Sequence, residues 1–488
     1  MRDLLIGIDV GTTTIKSAAF SVDDPRTPLL VTRRPAHHDE PQPGWSEVDP
    51  RRVEETAFAT VRELVAELDP GRVAAVGISG TACGAWLADE HFEPVRPAIL
   101  WNDGRAADVT AAWRDAGLME RIFAISGNAP FPGYTLSVLA WLARHEPDSL
   151  ARASRVLWCK DWLRGKLTGV IGTDESEASY VPFDVVRRIW SDELLEIAGL
   201  SRWRHLFPDL LDPRATAPLT AEGAARTGLL SGTPVAVGAT DIIAGVTGAG
   251  AVRVGGNVTI LGTSANSTVV SAEPLFEPWG VGIMARSPLD RYARSLINTS
   301  GSATLDWGAR LLTDGDVEAL LELGAEAPPG ALGLSFVPYL SPAGTVSPRL
   351  DPQARGILGG LRVYHGRPHV ARAIVEGLAA AVADCYAHMA QQVDEIVVIG
   401  GAARSDLLLQ ALADLAGRPV VRLSGDEFGA RGVAILAGWA VGAIDDLEAT
   451  AASLDASRRF VPQSDGPLRG ALAAYQDLAA RTAGWSRA

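Results

Sequence analysis

The stretch that decides this fold reads Ile6-Gly7-Ile8-Asp9-Val10-Gly11-Thr12-Thr13-Thr14-Ile15-Lys16. Two apolar runs are joined here by glycine and threonine residues, with one carboxylate just before the bend. Small residues let backbone N–H groups approach a phosphate closely, while threonine and lysine add donors and an aspartate can hold a magnesium ion or its water. The stretch therefore predicts a β-hairpin that binds nucleotide phosphates. An ordinary hairpin with a buried aspartate is the alternative that these residues alone leave open.

A second stretch repeats this layout in the middle of the chain. Residues 257–270 again read as strand, turn and strand, with Gly262-Thr263-Ser264 at the bend. Two such hairpins half a chain apart suggest a duplicated fold in which each half offers one phosphate loop to a nucleotide held between them. With 488 residues the chain is long enough for two large domains.

Apolar periodicity predicts an α/β fold with mixed sheets. In the first half, strand-like runs at 4–10, 16–20 and 29–31 precede a helix over 50–68 and a strand at 73–79. In the second half a helix over 367–393 leads into a strand at 395–399. A tryptophan-rich helical insertion occupies about 106–210, and glycines between 245 and 254 indicate a hinge. We therefore expect an N-terminal domain over 1–245 and a C-terminal domain over 246–488.

Charge and cysteine content exclude several function classes. The net charge is −14 with no cluster of arginine or lysine, so we expect no nucleic-acid partner. The three cysteines are too widely separated for zinc-ligand spacing and odd in number, which is typical of reduced thiols. The long uncharged stretches are rich in glycine and interrupted by Pro234 and Asp241, so we expect no membrane span. Because the first strand begins at Leu4, we expect no signal peptide and a cytosolic protein.

Five sequence blocks, taken in order, resemble the FGGY carbohydrate kinases, two-domain sugar and polyol kinases of the actin-like ATPase superfamily. The resemblance runs from Leu4 to about Gly442. The blocks are Gly7-Ile8-Asp9-Val10-Gly11-Thr12-Thr13, Ala98-Ile99-Leu100-Trp101-Asn102-Asp103-Gly104-Arg105, Gly238-Ala239-Thr240-Asp241, Gly262-Thr263-Ser264, and Gly400-Gly401-Ala402-Ala403-Arg404-Ser405 with Gln410. The resemblance implies two ribonuclease-H-like α/β domains with a cleft between them, and ATP and Mg²⁺ as cofactors.

The same resemblance implies which residues bind the nucleotide. Asp9 would lie near magnesium. The implied ATP contacts are Gly11, Thr12, Thr13, Thr14, Lys16, Gly262, Thr263, Gly301, Gly401 and Ser405.

The resemblance also implies an acceptor site and a catalytic base. Its substrate-binding residues would be Thr81, Ala82, Cys83, Trp101, Asp103, Arg105 and Asp241. Asp241 stands where the family keeps its general base, and a carboxylate that accepts the hydroxyl proton suits phosphoryl transfer to a sugar. The alternative for an aspartate between a strand and a helix is a helix N-cap.

The chain departs from the family at the residues that mark particular acceptors. Xylulose kinases usually read Ser-Gly-Gln-Met-His-Gly where this chain has Ser79-Gly80-Thr81-Ala82-Cys83-Gly84, and glycerol kinases carry Arg-Glu at the positions of Ala82 and Cys83. These two residues either pack in the core or shape a different acceptor pocket. We therefore expect an ATP-dependent kinase of a ketopentose in the xylulose kinase branch, with erythritol, xylitol, L-xylulose or glycerol as alternative acceptors. A non-enzymatic actin-like ATP-binding protein remains the alternative from another class, and a homodimer is compatible with the sequence.

Overall fold

The hairpin predicted at the start of the chain is present. A computed structural model describes residues 2–341, 344–351, 353–463 and 466–481. Strand β1 (Leu4–Val10) pairs with antiparallel β2 (Thr14–Ser21), and Val10 faces Ile15 next to the turn. Nearly all of β1 and most of β2 are buried on both faces, as expected for strands inside a sheet that is covered on both sides.

The first half of the chain continues with short strands and the helices of the insertion. Its further strands are β3 (Leu30–Pro35), β4 (Glu47–Val48), β5 (Val73–Gly80), β6 (Trp86–Ala88), β7 (Ala98–Ile99), β8 (Arg155–Leu157), β9 (Phe183–Asp184), β10 (Ile189–Trp190), β11 (Thr216–Pro218), β12 (Pro234–Ala236) and β13 (Ala239–Thr240). Its helices are α1 (Pro50–Ala66), α2 (Ala107–Asp115), α3 (Met119–Ser126), α4 (Thr135–His145), α5 (Pro147–Arg152), α6 (Cys159–Thr168), α7 (Glu175–Ala178), α8 (Asp192–Ile197), α9 (Ala221–Thr227) and α10 (Asp241–Gly248), with 3₁₀ turns at Pro70–Arg72 and Ser201–Leu206.

The first sheet has seven strands and mixed direction, as the sequence predicts. Its order is β11-β12-β5-β1-β2-β3, and β13 pairs with the end of β5. Strands β1 and β5 run parallel, so the carboxyl ends of both lie at the same edge. Helix α1 covers this sheet and begins after the N-cap Asp49, with Pro50 at its first position. The predicted helix over 50–68 and strand at 73–79 are confirmed.

The second half builds another seven-stranded sheet in the order β16-β17-β15-β14-β20-β21-β22. Its strands are β14 (Asn257–Leu261), β15 (Ala265–Ser271), β16 (Ile283–Ser287), β17 (Arg291–Asn298), β18 (Ser335–Val337), β19 (Ile357–Gly359), β20 (Ile396–Ile399), β21 (Val420–Leu423) and β22 (Ala456–Phe460). Its helices are α11 (Ser302–Leu312), α12 (Val317–Ala325), α13 (Arg367–His388), α14 (Asp406–Ala416), α15 (Phe428–Ala440), α16 (Leu447–Ala451) and α17 (Ala471–Ala480), with 3₁₀ turns at Ala331–Gly333 and Gly401–Arg404. The second hairpin, β14 with antiparallel β15, is confirmed.

Helices α10 and α15 cross where the two halves meet. A Cβ atom added to Gly432 of α15 would lie 1.9 Å from the carbonyl oxygen of Ala244 in α10. A Cβ on Gly248 of α10 would likewise lie 1.8 Å from the carbonyl oxygen of Phe428. Glycine at both positions lets the helix backbones touch.

Helix α15 comes from the second half of the chain, yet it packs on the first sheet. A Cβ on Gly7 of β1 would lie 1.9 Å from the carbonyl oxygen of Ala430, and a Cβ on Gly77 of β5 would lie 2.0 Å from that of Val433. The domain boundary at residue 245 stays a prediction. A boundary at one residue does not describe the packing of α15, from the second half of the chain, on the sheet of the first half.

Candidate active site

A deep cleft lies between the two sheets, with α10 and α15 at its base. It holds about 1340 Å³ of empty space, including the part open to solvent. Both halves of the chain line it. The lining residues include Asp9, Gly11, Lys16, Ala82, Cys83, Trp101, Phe131, Tyr180, Asp241, Gly262, Ser264, Ile283, Ile297, Gly400, Glu427 and Gly429.

The first hairpin, which the sequence predicts to bind phosphate, lies on one wall of this cleft. The amide of Gly11 donates to the carbonyl oxygen of Thr14 at 3.1 Å, which closes the turn. Thr13 is exposed at the tip, and Gly11 and Lys16 line the cleft. Thr12 lies beside Trp101, whose indole Nε1 is 3.3 Å from the threonine hydroxyl. The predicted residues of this turn therefore stand together at the mouth of the cleft.

The second hairpin faces the cleft from the opposite sheet. Gly262 and Ser264 line the cleft, and Thr263 is exposed at the bend. Gly301 lies behind them: its amide donates to the carbonyl oxygen of Thr263 at 3.0 Å, and a Cβ there would lie 2.4 Å from the carbonyl oxygen of Gly262. Gly301 therefore supports the turn from the N-terminus of α11 and does not itself line the cleft.

The predicted adenosine residues follow the carboxyl end of β20, an inner strand of the second sheet. Gly401 is exposed and opens a 3₁₀ turn, whereas Ser405 is buried and caps α14, its hydroxyl accepting from the amide of Leu408 at 3.2 Å. The residue of this block that lines the cleft is Gly400. Its φ of +101° and the 2.5 Å that would separate a Cβ from the carbonyl oxygen of Leu261 both require glycine.

Asp241 is the first residue of α10 and lies half-buried at the base of the cleft. Thr240 occupies the N-cap position and makes no side-chain capping hydrogen bond. The Asp241 carboxylate accepts from the amide of Ile242 at 2.8 Å. Burial, and then the nearby charge of Asp9, raise the pKa of Asp241 from 3.8 to about 7. A carboxylate that exchanges its proton near neutral pH is suited to acid–base chemistry.

Asp9 is the last residue but one of strand β1 and is close enough for its charge to act on Asp241. One carboxylate oxygen accepts from the Ser79 hydroxyl at 2.6 Å, and the other lies 2.5 Å from where a Cβ on Gly429 would stand. Burial raises the pKa of Asp9, although the hydrogen bond from Ser79 and the charge of Lys16 oppose this shift.

The surroundings of Asp9 fit a magnesium ion held mainly by water and phosphate. Among the described residues, no group of three or more His, Cys, Asp or Glu side chains is placed to hold a metal. Mg²⁺ in phosphate-transfer sites commonly uses only one or two carboxylates and takes its remaining ligands from water and phosphates. The missing side chain at Gly429 leaves the second oxygen of Asp9 open to such a ligand.

A carboxylate that the sequence did not indicate also enters the cleft. Glu427 immediately precedes α15 and forms ion pairs with Lys16 at 3.0 Å and Arg33 at 3.2 Å. Its position depends on α15 packing against the first sheet, so no local pattern could have indicated it. Lys16 is therefore already paired in this structure, and a nucleotide phosphate would compete with Glu427 for it.

Ala82 and Cys83 line the cleft close to Asp241, where the resemblance places the acceptor. Cys83 has a φ of +69°, and its amide donates to the buried carboxylate of Glu177 at 3.3 Å. A left-handed conformation at a residue other than glycine is uncommon and needs such support. Burial, followed by the charges of Glu177 and Asp241, raises the pKa of the Cys83 thiol well above its usual value, so the thiol is neutral.

Two of the predicted acceptor residues lie behind the cleft wall. Asp103 and Arg105 are buried and paired with each other at 2.8 Å, and Arg105 also pairs with Glu47 at 2.6 Å. The guanidinium of Arg105 stacks 4.0 Å above the ring centre of Trp45. This cluster holds the loop that presents Trp101, and neither side chain of the pair reaches the cleft. Thr81 lies in a side pocket with Thr12 and Trp101, and its amide donates to the carbonyl oxygen of Val10 at 3.2 Å.

Further cleft residues come from segments that carry no motif. Phe131 and Tyr180 belong to the insertion, and Ile283 and Ile297 belong to β16 and β17 of the second sheet. No sequence pattern indicates them, because isolated aromatic and aliphatic residues look the same whether they face a core or a site.

Two glycine-threonine hairpins that face one cleft, with a carboxylate at a helix start between them, are the features of two-domain actin-like phosphotransferases. Residues 4–248 match the FGGY family of carbohydrate kinases, N-terminal domain, and residues 257–441 match the C-terminal domain of that family. The chain belongs to the FGGY family of carbohydrate kinases. It is a phosphotransferase with ATP as a substrate, and the expected family and fold are confirmed.

Individual relatives extend over most of the chain. It is 34% identical to a xylulose kinase of Escherichia coli (strain K12), covering 89% of both chains, and 32% identical to an erythritol kinase of Brucella abortus (strain 2308), covering 91% of this chain and 89% of the relative. The solved structure of xylulose kinase from Rhodospirillum rubrum superposes with a TM-score of 0.87 at 28% identity, covering 98% of each chain. No described helix combines the length and apolar character that a bilayer-spanning segment needs.

Proposed function

We propose that this kinase transfers the γ-phosphoryl group of ATP to a terminal hydroxyl of a ketopentose. The observation that carries the proposal is the position of Asp241, at the base of a cleft that both phosphate hairpins face. Similarity to the E. coli xylulose kinase supports a ketopentose acceptor.

Asp241 would act as the general base in this reaction. A sugar hydroxyl is a weak nucleophile, and its proton must leave as the new bond to phosphorus forms. A carboxylate with a pKa of about 7 is matched to that task near neutral pH. Because Asp241 opens α10, its orientation is set by the helix and by its contact with the Ile242 amide.

The hairpins would hold the triphosphate between the domains. Amides and hydroxyls at Gly11, Thr12, Thr13 and Thr14 would bind it from one side, and Gly262 and Thr263 from the other. We assign Mg²⁺ to the open oxygen of Asp9, where it would neutralise charge on the phosphate oxygens. Lys16 would exchange its ion pair with Glu427 for a phosphate oxygen. Gly401 and Ser405 would border the adenosine, the first by direct contact and the second through the start of α14.

Ala82 and Cys83 favour a second group of candidate acceptors. Both line the cleft, and neither offers the charged or strongly polar groups that the family uses there for xylulose or glycerol. The similarity to an erythritol kinase supports the same alternative. Erythritol, xylitol, L-xylulose and glycerol are therefore the candidates to compare with D-xylulose. We further propose a cytosolic enzyme whose domains divide near residue 245, with a homodimer as the assembly to test.

An acceptor screen tests the proposed function. ADP release is measured with ATP and Mg²⁺ in the presence of each ketopentose and polyol in turn. We expect at least one ketopentose to stimulate ADP release strongly, and no tenfold preference for D-xylulose over every other acceptor in kcat/KM. Release that no acceptor stimulates would instead favour a nucleotide-dependent binding protein. A tenfold or larger preference for D-xylulose would contradict our interpretation of Ala82 and Cys83.

The pKa of Asp241 predicts the pH dependence of the reaction. The carboxylate must be ionised to accept a proton, so kcat/KM for the acceptor should be constant above pH 7 and fall about tenfold per unit well below it. The measurement is kcat/KM between pH 5.5 and 8.5 at saturating ATP and Mg²⁺. The residual activity of Asp241→Asn should lack this inflection. A wild-type profile that is flat down to pH 5.5 would rule out Asp241 as the base.

A further inference from the structure

The hydroxyl of Tyr180 is buried in the acceptor end of the cleft without a hydrogen-bond partner. The side chain is 1% exposed and lines the cleft with Cys83 and Asp241. Within the described part of the chain its hydroxyl makes no hydrogen bond of good geometry, although the Thr240 hydroxyl is close enough to interact with it. Buried polar groups in proteins are nearly always paired, so an unpaired hydroxyl at a cleft wall indicates a missing ligand.

The backbone that carries Tyr180 is firmly held. The Asn128 side-chain amide donates to the carbonyl oxygen of Ser179 at 2.8 Å, and the amide of Arg286 in β16 donates to the Ser179 hydroxyl at 2.9 Å. The amide of Tyr180 itself donates to the carbonyl oxygen of Glu177 at 3.0 Å. The phenol is thus presented by a segment anchored to both domains, which favours a defined contact over a mobile side chain.

Apart from Asn266, which lies beside Ile297, and Trp101, the side chains that line this end of the cleft are poor hydrogen-bond donors. Ala82, Phe131, Ile283 and Ile297 are apolar, and Cys83 carries a neutral thiol. An acceptor whose reacting hydroxyl meets Asp241 would turn its remaining oxygens toward this wall. Burial raises the pKa of the Tyr180 phenol well above its usual value, so the phenol keeps its proton and can donate it in a hydrogen bond.

We propose that Tyr180 donates a hydrogen bond to a second oxygen of the acceptor and thereby selects acceptors that carry an oxygen at that carbon. This inference rests on the proposed function, because it concerns the same acceptor site. Thr240, whose hydroxyl is also buried and unpaired among the described residues, is the competing partner. If the two hydroxyls satisfy each other, Tyr180 has a structural role and no effect on acceptor choice.

The test compares Tyr180→Phe with Tyr134→Phe, a matched control. Tyr134 also carries a buried hydroxyl that has no partner among the described residues, but it does not line the cleft. We expect Tyr180→Phe to lower kcat/KM for the best acceptor of the screen by about 10- to 100-fold, because the acceptor oxygen is left unpaired. KM for ATP should stay within about twofold, and Tyr134→Phe should change neither value.

Deoxy analogues of that acceptor locate the contacted oxygen. One analogue should lower the kcat/KM of the wild-type enzyme to about the value that Tyr180→Phe shows with the parent acceptor. With the same analogue, the kcat/KM of Tyr180→Phe should fall little further, because the hydrogen bond that both changes remove is already absent. If the wild-type enzyme phosphorylates an acceptor and Tyr180→Phe has the same acceptor kcat/KM, the proposed role of Tyr180 is wrong and the proposed function stands. A wild-type protein that uses no acceptor would overturn the proposed function and this inference together.

Discussion

Replacing Asp241 by asparagine should slow phosphoryl transfer by about 10²–10⁴-fold while ATP binding persists. Asparagine keeps the shape and the oxygen that accepts from the Ile242 amide, but it cannot take a proton from the acceptor. The measurements are kcat on the best acceptor and the Kd for ATP by calorimetry. A kcat close to the wild-type value would show that Asp241 serves only the start of α10.

The stability of Asp241→Asn separates catalysis from folding. The folded-state pKa of Asp241 is raised from 3.8 to about 7, so between these pH values the folded chain binds more protons than the unfolded chain. The free energy of unfolding that the Asp241 carboxyl contributes is therefore lost as the pH rises between these two values. Above pH 7 the carboxylate is charged in its desolvated position. Asparagine removes that charge, so Tm at pH 8 should equal or exceed the wild-type value.

A matched control for this substitution lies in the insertion. Asp192 is also the first residue of a helix, α8, but its side chain is exposed and does not line the cleft. Asp192→Asn should leave kcat within about twofold, because only solvated charge is removed. A comparable loss of activity in both variants would point to a general effect of changing helix N-termini.

Adding a single methyl group at Gly432 should disrupt the base of the cleft. The new Cβ would lie 1.9 Å from the carbonyl oxygen of Ala244, so α10 and α15 would have to separate. Overpacking of this kind costs about 1–3 kcal/mol or more, which exceeds the gain of about 1 kcal/mol from placing alanine in a helix. We expect Gly432→Ala to lower Tm by several degrees.

Activity should fall with stability in this variant. Asp241 begins α10, and Gly429 of α15 touches Asp9, so separating the helices moves both carboxylates. A displacement of about 1 Å can reduce turnover by about 10²-fold. The measurements are Tm by calorimetry and kcat at a temperature where the variant remains folded.

Gly366→Ala is the control for the second prediction. Gly366 precedes α13 with a φ of −107°, and a Cβ there would meet only Pro368, at 3.7 Å. Its substitution should cost less than about 1 kcal/mol, as expected for an N-cap glycine. If Gly432→Ala has the same Tm as Gly366→Ala and keeps full activity, the close crossing of α10 and α15 is not required for stability or catalysis.

The sequence by itself determined the two hairpins and the α/β class, and its resemblance to the FGGY kinases implied Asp241 as a candidate base. The hairpins and the fold class depend on local chemistry: runs of apolar residues fix a strand, and a bend of glycine and threonine fixes a tight turn. The boundaries of β1 and β5 agreed with their predicted positions to within one residue. The sequence also indicated that a helix begins within 239–245; in the structure the N-cap is Thr240, and Asp241 is the first helical residue.

Only the tertiary structure decided which polar residues face the cleft. Asp103 and Arg105 pair inside the wall, whereas Glu427 enters the site through the packing of α15 on a sheet from the other half of the chain. Tyr180 owes its place to hydrogen bonds that join the preceding Ser179 to Asn128 and Arg286, both distant in sequence. Burial, pairing and cleft exposure arise from contacts between segments up to several hundred residues apart. The spacing of residues along the sequence does not indicate such contacts, so the positions of these side chains relative to the cleft are known only from the folded chain.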